Sequence, residues 1–206
     1  MIKRLTSNAR KPGGLWGRLM IRKMNAGHFN MTVWALKKIK LPEHGVIADI
    51  GCGGGSCIKL LSSMSKAKII GIDYSELCVK KSIKKNKRAV KNGQAEVIKA
   101  DVIRLPFKNA SIDCAVSVES VYFWKEPDKS FSEIKRTLKP GASFNIICEM
   151  VKNEDGTGAH TEIAEFLKLN YYSITELETL LRRNGFKSID IQFEKSKGWL
   201  LISGIA

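Results

Sequence analysis

The sequence predicts an α/β protein with a Rossmann-like sheet of seven strands, mostly parallel, with an antiparallel last strand and helices on both faces. Short apolar segments alternate with amphipathic segments through most of the 206-residue chain. That alternation is typical of βα units joined by right-handed crossovers. The last two apolar segments, 188–193 and 199–205, are separated by only five residues. Because a connection that short can join only antiparallel strands, we expect the sheet to end in a hairpin.

The first predicted strand, 46–50, leads directly into the glycine cluster 51–55 and then into a helix over 56–62. Glycine tolerates a positive φ, and its missing side chain lets a ligand approach the backbone closely. This arrangement favours a nucleotide-type ligand above the first turn of an open sheet. Asp49, inside the strand, would repel a pyrophosphate and suits a ligand that carries cationic groups.

The remaining elements follow in order and complete the alternation. Strands are predicted at 68–73, 95–100, 112–118 and 142–150. Helices are predicted at 15–24, 31–39, 75–92, 128–138, 161–168 and 174–184. Ser75 is a good N-cap for the third of these helices, and Lys139-Pro140-Gly141 is expected to end the fourth. We divide the chain into a basic helical segment, 1–40, and a ligand-binding domain, 41–206.

The formal net charge of +15 is concentrated in two places. Ten lysines and arginines precede Asp49, against one acid, Glu43, and a second group lies on the helix over 75–92. Such fields attract nucleic acid, anionic lipid or a small anionic substrate. The chain lacks an apolar run long enough to cross a membrane, and its start lacks an apolar secretory region. Five scattered cysteines favour reduced thiols over disulfides or zinc, so we expect a cytoplasmic protein without a metal.

Two further acids follow strands at the edge where open α/β sheets bind ligands. Asp73 comes about twenty residues after the glycine loop, as expected of an acid that accepts from both ribose hydroxyls. Asp101 follows the third strand and could accept a hydrogen bond from an adenine amino group, with Val102 against the ring. The three acids and the loop therefore predict a site for a nucleoside that carries a cationic group.

These segments resemble motifs I, post-I and II of the class I S-adenosylmethionine (SAM) methyltransferases. The segments Leu105-Pro106-Phe107, Ser111-Ile112-Asp113 and 133–141 further resemble the ubiquinone/menaquinone-type, or type 11, methyltransferases. The resemblance covers about residues 40–150, and the terminal hairpin is similar to the antiparallel seventh strand of that family. It implies SAM as the cofactor and S-adenosylhomocysteine as the product. Because the cofactor would otherwise be open to water, we expect the helical segment 1–40 to form a lid. The implied cofactor-binding residues are Asp49, Gly51, Cys52, Gly53, Asp73, Tyr74, Asp101, Val102 and Ser117.

The methyl acceptor is less constrained. The segment after the fourth strand, 117–124, lacks the N/D-P-P-Y element that is typical of enzymes methylating amino groups on nucleobases. A carboxylate acceptor needs no base because it is already ionised at neutral pH. We therefore expect O-methylation of a small-molecule or peptide carboxylate. The substrate-facing candidates are Arg18, Arg22, His28, Tyr122, Trp124 and His160.

Arg18 and Arg22 would hold such a carboxylate, and the block 14–28 resembles a subgroup of peptide-tailoring carboxyl methyltransferases. Alternatives to a carboxylate acceptor remain open. A quinol or phenol oxygen would instead need a base such as His28 or His160. Tyr122 and Trp124 either line a substrate pocket or cover the sheet edge. RNA and anionic lipid are further acceptor classes, because the N-terminal segment is basic.

Overall fold

The computed structural model describes residues 28–206 and contains one seven-stranded sheet with helices on both faces. The strands are β1 (Val46–Ile50), β2 (Lys68–Asp73), β3 (Ala95–Lys99), β4 (Ile112–Val118), β5 (Leu138–Cys148), β6 (Lys187–Glu194) and β7 (Trp199–Ile205). The helices are α1 (Phe29–Leu36), α2 (Ser56–Met64), α3 (Glu76–Lys85), α4 (Lys87–Lys91), α5 (Pro127–Thr137), α6 (Thr161–Leu167) and α7 (Ile174–Arg183), with a 3₁₀ turn at Val121–Phe123.

The strand order is β3-β2-β1-β4-β5-β7-β6. Strand β7 lies between β5 and β6 and is antiparallel to both, whereas β1 to β5 pair in parallel. The order reverses between β1 and β4, so the carboxyl ends of these strands flank the crevice where open sheets bind ligands. The predicted fold class and the antiparallel last strand are confirmed.

Alternate residues of the strands pack into two apolar layers. On one face, α5 and α7 cover strand residues such as Ile146, and Phe131 and Phe144 contribute large side chains. On the other face, α1 and α2 cover residues such as Ile147 and Leu201. With both faces covered, the central strands are almost wholly apolar, which makes the buried acid in β1 stand out.

Two element boundaries differ from the prediction for reasons of tertiary structure. The single helix predicted over 75–92 is broken into α3 and α4 at Asn86. The buried Asn86 amide donates to the carbonyl oxygens of Gly55 (2.9 Å) and Ser82 (3.0 Å), which ties the break to the glycine loop. Strand β5 begins at Leu138 rather than at 142. Residues 139–141 form an irregularity in its pairing with β4, and Gly141 there has a φ of +83°.

The described part of the N-terminal segment is helical and packed. Helix α1 covers Phe29–Leu36 rather than 31–39, and Met31 and Ala35 are fully buried against the sheet. The helix predicted over 15–24, with Arg18 and Arg22, lies outside the described residues. Within 28–206, every helix is too short or too polar to cross a bilayer.

Candidate active site

The glycine loop joins β1 to α2 and is fastened to the neighbouring strand. The backbone amides of Gly51 and Cys52 both donate to the carbonyl oxygen of Ile72, at 2.8 and 2.9 Å. Gly55, just before α2, has a φ of +79°, and a Cβ added there would clash with Ser82 and Asn86. The loop therefore needs glycine at this position both for its backbone conformation and for its contact with α3.

Asp73, at the end of β2, is held by the backbone on both carboxylate oxygens. The amide of Gly53 donates to Oδ2 at 2.9 Å, and the amide of Ser75 donates to Oδ1 at 2.8 Å. Burial raises the pKa of Asp73, and these two hydrogen bonds oppose the rise. Each oxygen keeps a second lone pair, so the side chain can still accept from a ligand while it positions the loop.

Asp49 lies fully buried in β1, and no group of the described residues donates a well-aligned hydrogen bond to either of its carboxylate oxygens. Burial, and next the charge of nearby Asp73, raises the pKa of Asp49 to about 7, with the Cys57 thiol opposing the rise. A buried carboxyl group without a partner is unfavourable in the ligand-free protein. It lines the cleft, so a cationic ligand would supply the missing partner.

The other residues predicted to contact the cofactor divide into two sets. Cys52, Tyr74, Asp101 and Val102 line the same cleft as Asp49 and Asp73. Burial raises the pKa of Cys52 well above its ordinary value, so the thiol is a neutral wall group at neutral pH.

Ser117 is placed differently, fully buried beneath the cleft surface. Its hydroxyl lies 2.8 Å from that of Ser120, which donates to the carbonyl oxygen of Ile50 at 2.9 Å. Ser120 rather than Ser117 lines the cleft. Ser117 is therefore placed to support the wall, and Ser120 to face the ligand.

The aromatic residues after β4 take two positions. Phe123 and Trp124 line the cleft, and Trp124 also packs on Phe131 with ring centroids 5.7 Å apart. Tyr122 is buried, and its hydroxyl donates to Oε1 of Glu119 at 2.8 Å. Of the two alternatives left by the sequence, Trp124 satisfies both, lining the cleft and covering the sheet.

A cluster of one imidazole and two carboxylates, His28, Glu119 and Glu149, lies beside this aromatic wall. Nδ1 of His28 is 3.3 Å from Oε1 of Glu149 and 3.9 Å from Oε2 of Glu119. Burial lowers the pKa of His28, but the nearby carboxylates, Glu149 foremost, outweigh it and leave the pKa raised. Burial raises the pKa of Glu119, against the opposing effect of His28. His28 and Glu119 line the cleft.

Sequence reasoning singled out His28 but missed both glutamates. Glu119 and Glu149 directly follow β4 and β5. They lie at the same carboxyl-terminal edge of the sheet where Asp73 and Asp101 were predicted. The rule that found those two acids would have found the glutamates as well, had it been applied to every strand.

His160 precedes α6 and does not line the cleft within the described part of the chain. Its backbone amide donates to the hydroxyl of Tyr171 at 3.4 Å. The hydrogen bond from His28 chiefly lowers the pKa of Glu149, and His160 adds a smaller effect in the same direction. His160 therefore lies near the cluster without facing the cleft. The positions of Arg18 and Arg22 fall outside the described residues.

The whole cleft has a volume of about 510 Å³, which suits a small-molecule ligand. One part carries the glycine loop with Asp49, Asp73 and Asp101. The other part carries His28 and Glu119 of the cluster and an apolar wall of Phe29, Val118, Phe123 and Trp124. The arrangement can hold a cationic nucleoside at one end and present its reactive group to a second, partly apolar molecule at the other.

Comparisons with known proteins agree with this arrangement. The family described as "Methyltransferase domain" matches residues 48–146. The Penicillium expansum protein named O-methyltransferase cnsE is 30% identical over 151 residues, covering 72% of this chain and 54% of that protein. The Arabidopsis thaliana 24-methylenesterol C-methyltransferase 2 is 31% identical over 135 residues, covering 64% of this chain and 37% of that protein. The chain thus spans about half the length, or less, of these curated relatives.

Solved structures share the fold across nearly the whole chain. A putative methyltransferase in complex with the Haloferax volcanii Trm112 methyltransferase activator has a TM-score of 0.78 at 21% identity, covering 91% of this chain and 93% of its own. A SAM-dependent methyltransferase from Aquifex aeolicus has a TM-score of 0.75 at 24% identity, covering 91% and 97%. Residues 48–146 therefore form a methyltransferase domain whose motifs follow the order of the class I SAM-dependent enzymes, within a fold shared with these solved structures.

Proposed function

We propose that the chain transfers a methyl group from SAM to a hydroxyl oxygen of a small, partly apolar molecule, of the phenol or quinol class. The observation that carries this proposal is the cluster of His28, Glu119 and Glu149, which opens on the acceptor end of the cleft. A neutral hydroxyl must lose a proton to become a good nucleophile. The cluster places proton-accepting groups where that loss would occur.

Electrostatics disfavour the carboxylate acceptor that the sequence had suggested. Two carboxylates flank His28 at the acceptor wall, and they would repel a second anion. Among residues 28–206, Lys125 is the only lysine or arginine that lines the cleft. Arg18 and Arg22, on which the carboxylate reading depends, lie outside the described residues. The relative named as an O-methyltransferase supports oxygen as the acceptor atom, without distinguishing hydroxyl from carboxylate.

The chain's own groups would divide the work. When bound, SAM supplies an electrophilic methyl group on a sulfonium. Asp73 and Asp101 are placed to orient the nucleoside, and Asp49 to balance positive charge. The acceptor oxygen gives its proton to the cluster and forms the new O–CH₃ bond. The S–CH₃ bond breaks, its electron pair stays on sulfur, and the product is a neutral thioether.

The test combines product chemistry with one variant. The chain is incubated with methyl-labelled SAM and a panel of phenols, quinols and carboxylic acids, and labelled products are treated with mild alkali. We expect label in an aryl ether that survives alkali, because only a methyl ester is hydrolysed. We also expect His28→Ala to lower kcat by about 100-fold or more, the usual scale of general acid–base catalysis, with SAM affinity unchanged.

His44→Ala is the matched control, since His44 is an exposed imidazole before β1, at the opposite edge of the sheet. Base-labile product, or a His28→Ala variant as active as His44→Ala, would contradict the hydroxyl acceptor.

The apolar wall and the relatives named as sterol C-methyltransferases support a second candidate, methyl transfer to an alkene carbon. The aromatic rings of Phe123 and Trp124 could stabilise a cationic intermediate on such an acceptor, and the cluster could then remove a proton. Adding an isoprenoid alkene to the same panel distinguishes the two, because the chemical shift of the labelled methyl group differs between O–CH₃ and C–CH₃.

We also propose that residues 1–40, which precede the domain 41–206, act as a lid over the cofactor. Support comes from the described end of this segment, where His28, Phe29 and Thr32 form one wall of the cleft. A closing lid would exclude water from the reacting groups. Hydrogen exchange of peptides spanning residues 15–30 should slow on addition of S-adenosylhomocysteine. Exchange that is the same with and without this ligand would argue against a lid.

A further inference from the structure

We propose that the cluster of His28, Glu119 and Glu149 binds a divalent transition-metal ion of the zinc class. The ligand atoms would be Nδ1 of His28, Oε2 of Glu119 and Oε1 of Glu149. The ion-binding site stands on the geometry of the cluster. Only the role given to the ion rests on the proposed hydroxyl methylation.

The three atoms already lie close to the separations that a metal imposes. A tetrahedral zinc site with bonds of about 2.0–2.1 Å places its ligand atoms roughly 3.3 Å apart. Nδ1 of His28 lies 3.3 Å from the Glu149 oxygen and 3.9 Å from the Glu119 oxygen, and all three atoms lie within 4.8 Å of one another. In the described part of the chain, this is the one group of three such residues that meets this distance.

Groups behind the cluster hold one of the three ligands, Glu119, in place. Oε1 of Glu119 accepts from the Tyr122 hydroxyl at 2.8 Å and from the backbone amide of Glu149 at 2.7 Å, while Oε2 faces His28. Outer hydrogen bonds of this kind orient the ligands of known metal sites. Nδ1 of His28 is buried and makes no well-aligned hydrogen bond, although a carboxylate is near. A metal ion would give this nitrogen a directed partner.

The charge and openness of the site suit catalysis by an ion. A metal-bound imidazole is neutral, because the ion displaces its proton. With two carboxylates the ligand set then carries a formal charge of −2, which a divalent cation neutralises. Catalytic zinc sites use three protein ligands and leave a fourth position for water or substrate. Here His28 and Glu119 face the cleft, so the acceptor hydroxyl could take that position. With the ion bound, the cluster would no longer act as the base. Coordination would instead lower the pKa of the hydroxyl, its proton would pass to solvent, and the oxygen would attack the methyl group.

The experiment is isothermal titration of the chelator-stripped full chain, purified without a histidine tag, with ZnCl₂ and separately with MnCl₂. We expect one saturable site per chain. His28→Ala and Glu149→Gln should each weaken Zn²⁺ binding by about 100-fold or more, since even a second-shell partner is worth 10–100-fold. Glu149 is chosen over Glu119 because its side chain is 31% exposed, against 9% for Glu119, so its replacement disturbs the core less.

His44→Ala and Glu165→Gln, both exposed, are the matched controls. A circular dichroism spectrum like that of the wild type shows that each variant is folded. An absence of saturable binding in the wild type, or equal loss in the controls, would overturn the metal site.

Failure of this inference is distinguishable from failure of the proposed function. If Zn²⁺ does not bind but His28→Ala still abolishes formation of an aryl ether, the metal is refuted and the cluster acts as a base. If Zn²⁺ binds at the cluster but the product is a methyl ester, the metal site stands and the hydroxyl acceptor is refuted.

Discussion

Asp73→Ala is expected to weaken binding of both SAM and S-adenosylhomocysteine by about 100-fold or more. A hydrogen bond to a charged group contributes roughly 1.5–3 kcal/mol, and the two ribose hydroxyls would each donate one to this carboxylate. Because about 1.4 kcal/mol corresponds to a factor of ten, losing both gives a change of this size. The variant also loses the acceptor for the Gly53 and Ser75 amides, which should loosen the glycine loop.

Isothermal titration with both nucleosides measures this effect, and a second variant separates its two causes. Asp73→Asn keeps the size of the side chain and one acceptor oxygen, so it should preserve part of the loop anchoring and bind between the wild type and Asp73→Ala. Asp190→Ala, an exposed acid on β6, is the control. Binding by Asp73→Ala within about threefold of the control would exclude Asp73 as the ribose-binding acid.

The cofactor half of the site could be predicted because its signals are local in the sequence. Asp49, Asp73 and Asp101 each lie within or directly after a short apolar segment, and parallel strands bring their carboxyl ends to one edge. The glycines reflect a backbone requirement that is also local. The structure accordingly places these acids around one cleft, at the edge the pattern had indicated.

The acceptor half was harder to predict, because its groups meet only through tertiary packing. His28 reaches Glu119 and Glu149 because α1 packs across the sheet, and nothing near His28 in the sequence indicates that contact. The same holds for the break at Asn86, where a bond to the distant Gly55 interrupts an otherwise regular helical pattern. The local pattern also pointed to Ser117, near the end of β4, whereas Ser120, just after the strand, lines the cleft.

Asp49→Asn is expected to stabilise the ligand-free protein while it weakens SAM binding. The folded state raises the pKa of Asp49 from 3.8 to about 7, so the native protein holds this proton more tightly than the unfolded chain does. The ionisation of this carboxyl group therefore adds no cost below the unfolded pKa, and its destabilising effect grows as the pH rises toward 7. At about 1.4 kcal/mol per pKa unit, the cost above pH 7 is on the order of 4 kcal/mol.

The expected signature is a pair of opposite changes that depend on pH. In urea denaturation, Asp49→Asn should be more stable than the wild type at pH 8 by roughly 2 kcal/mol, less than the full cost because a buried amide also lacks partners. That advantage should shrink at pH 5.

Wild-type affinity for SAM should rise with pH as Asp49 ionises, because SAM carries an ammonium and a sulfonium. The variant should bind SAM about 30-fold or more weakly, as expected when a buried charge loses its partner, and with little dependence on pH. Asp190→Asn serves as the control. An Asp49→Asn variant that is no more stable than the wild type at pH 8, or that binds SAM equally well, would show that the buried Asp49 carboxylate does not pair with the positive charge of SAM.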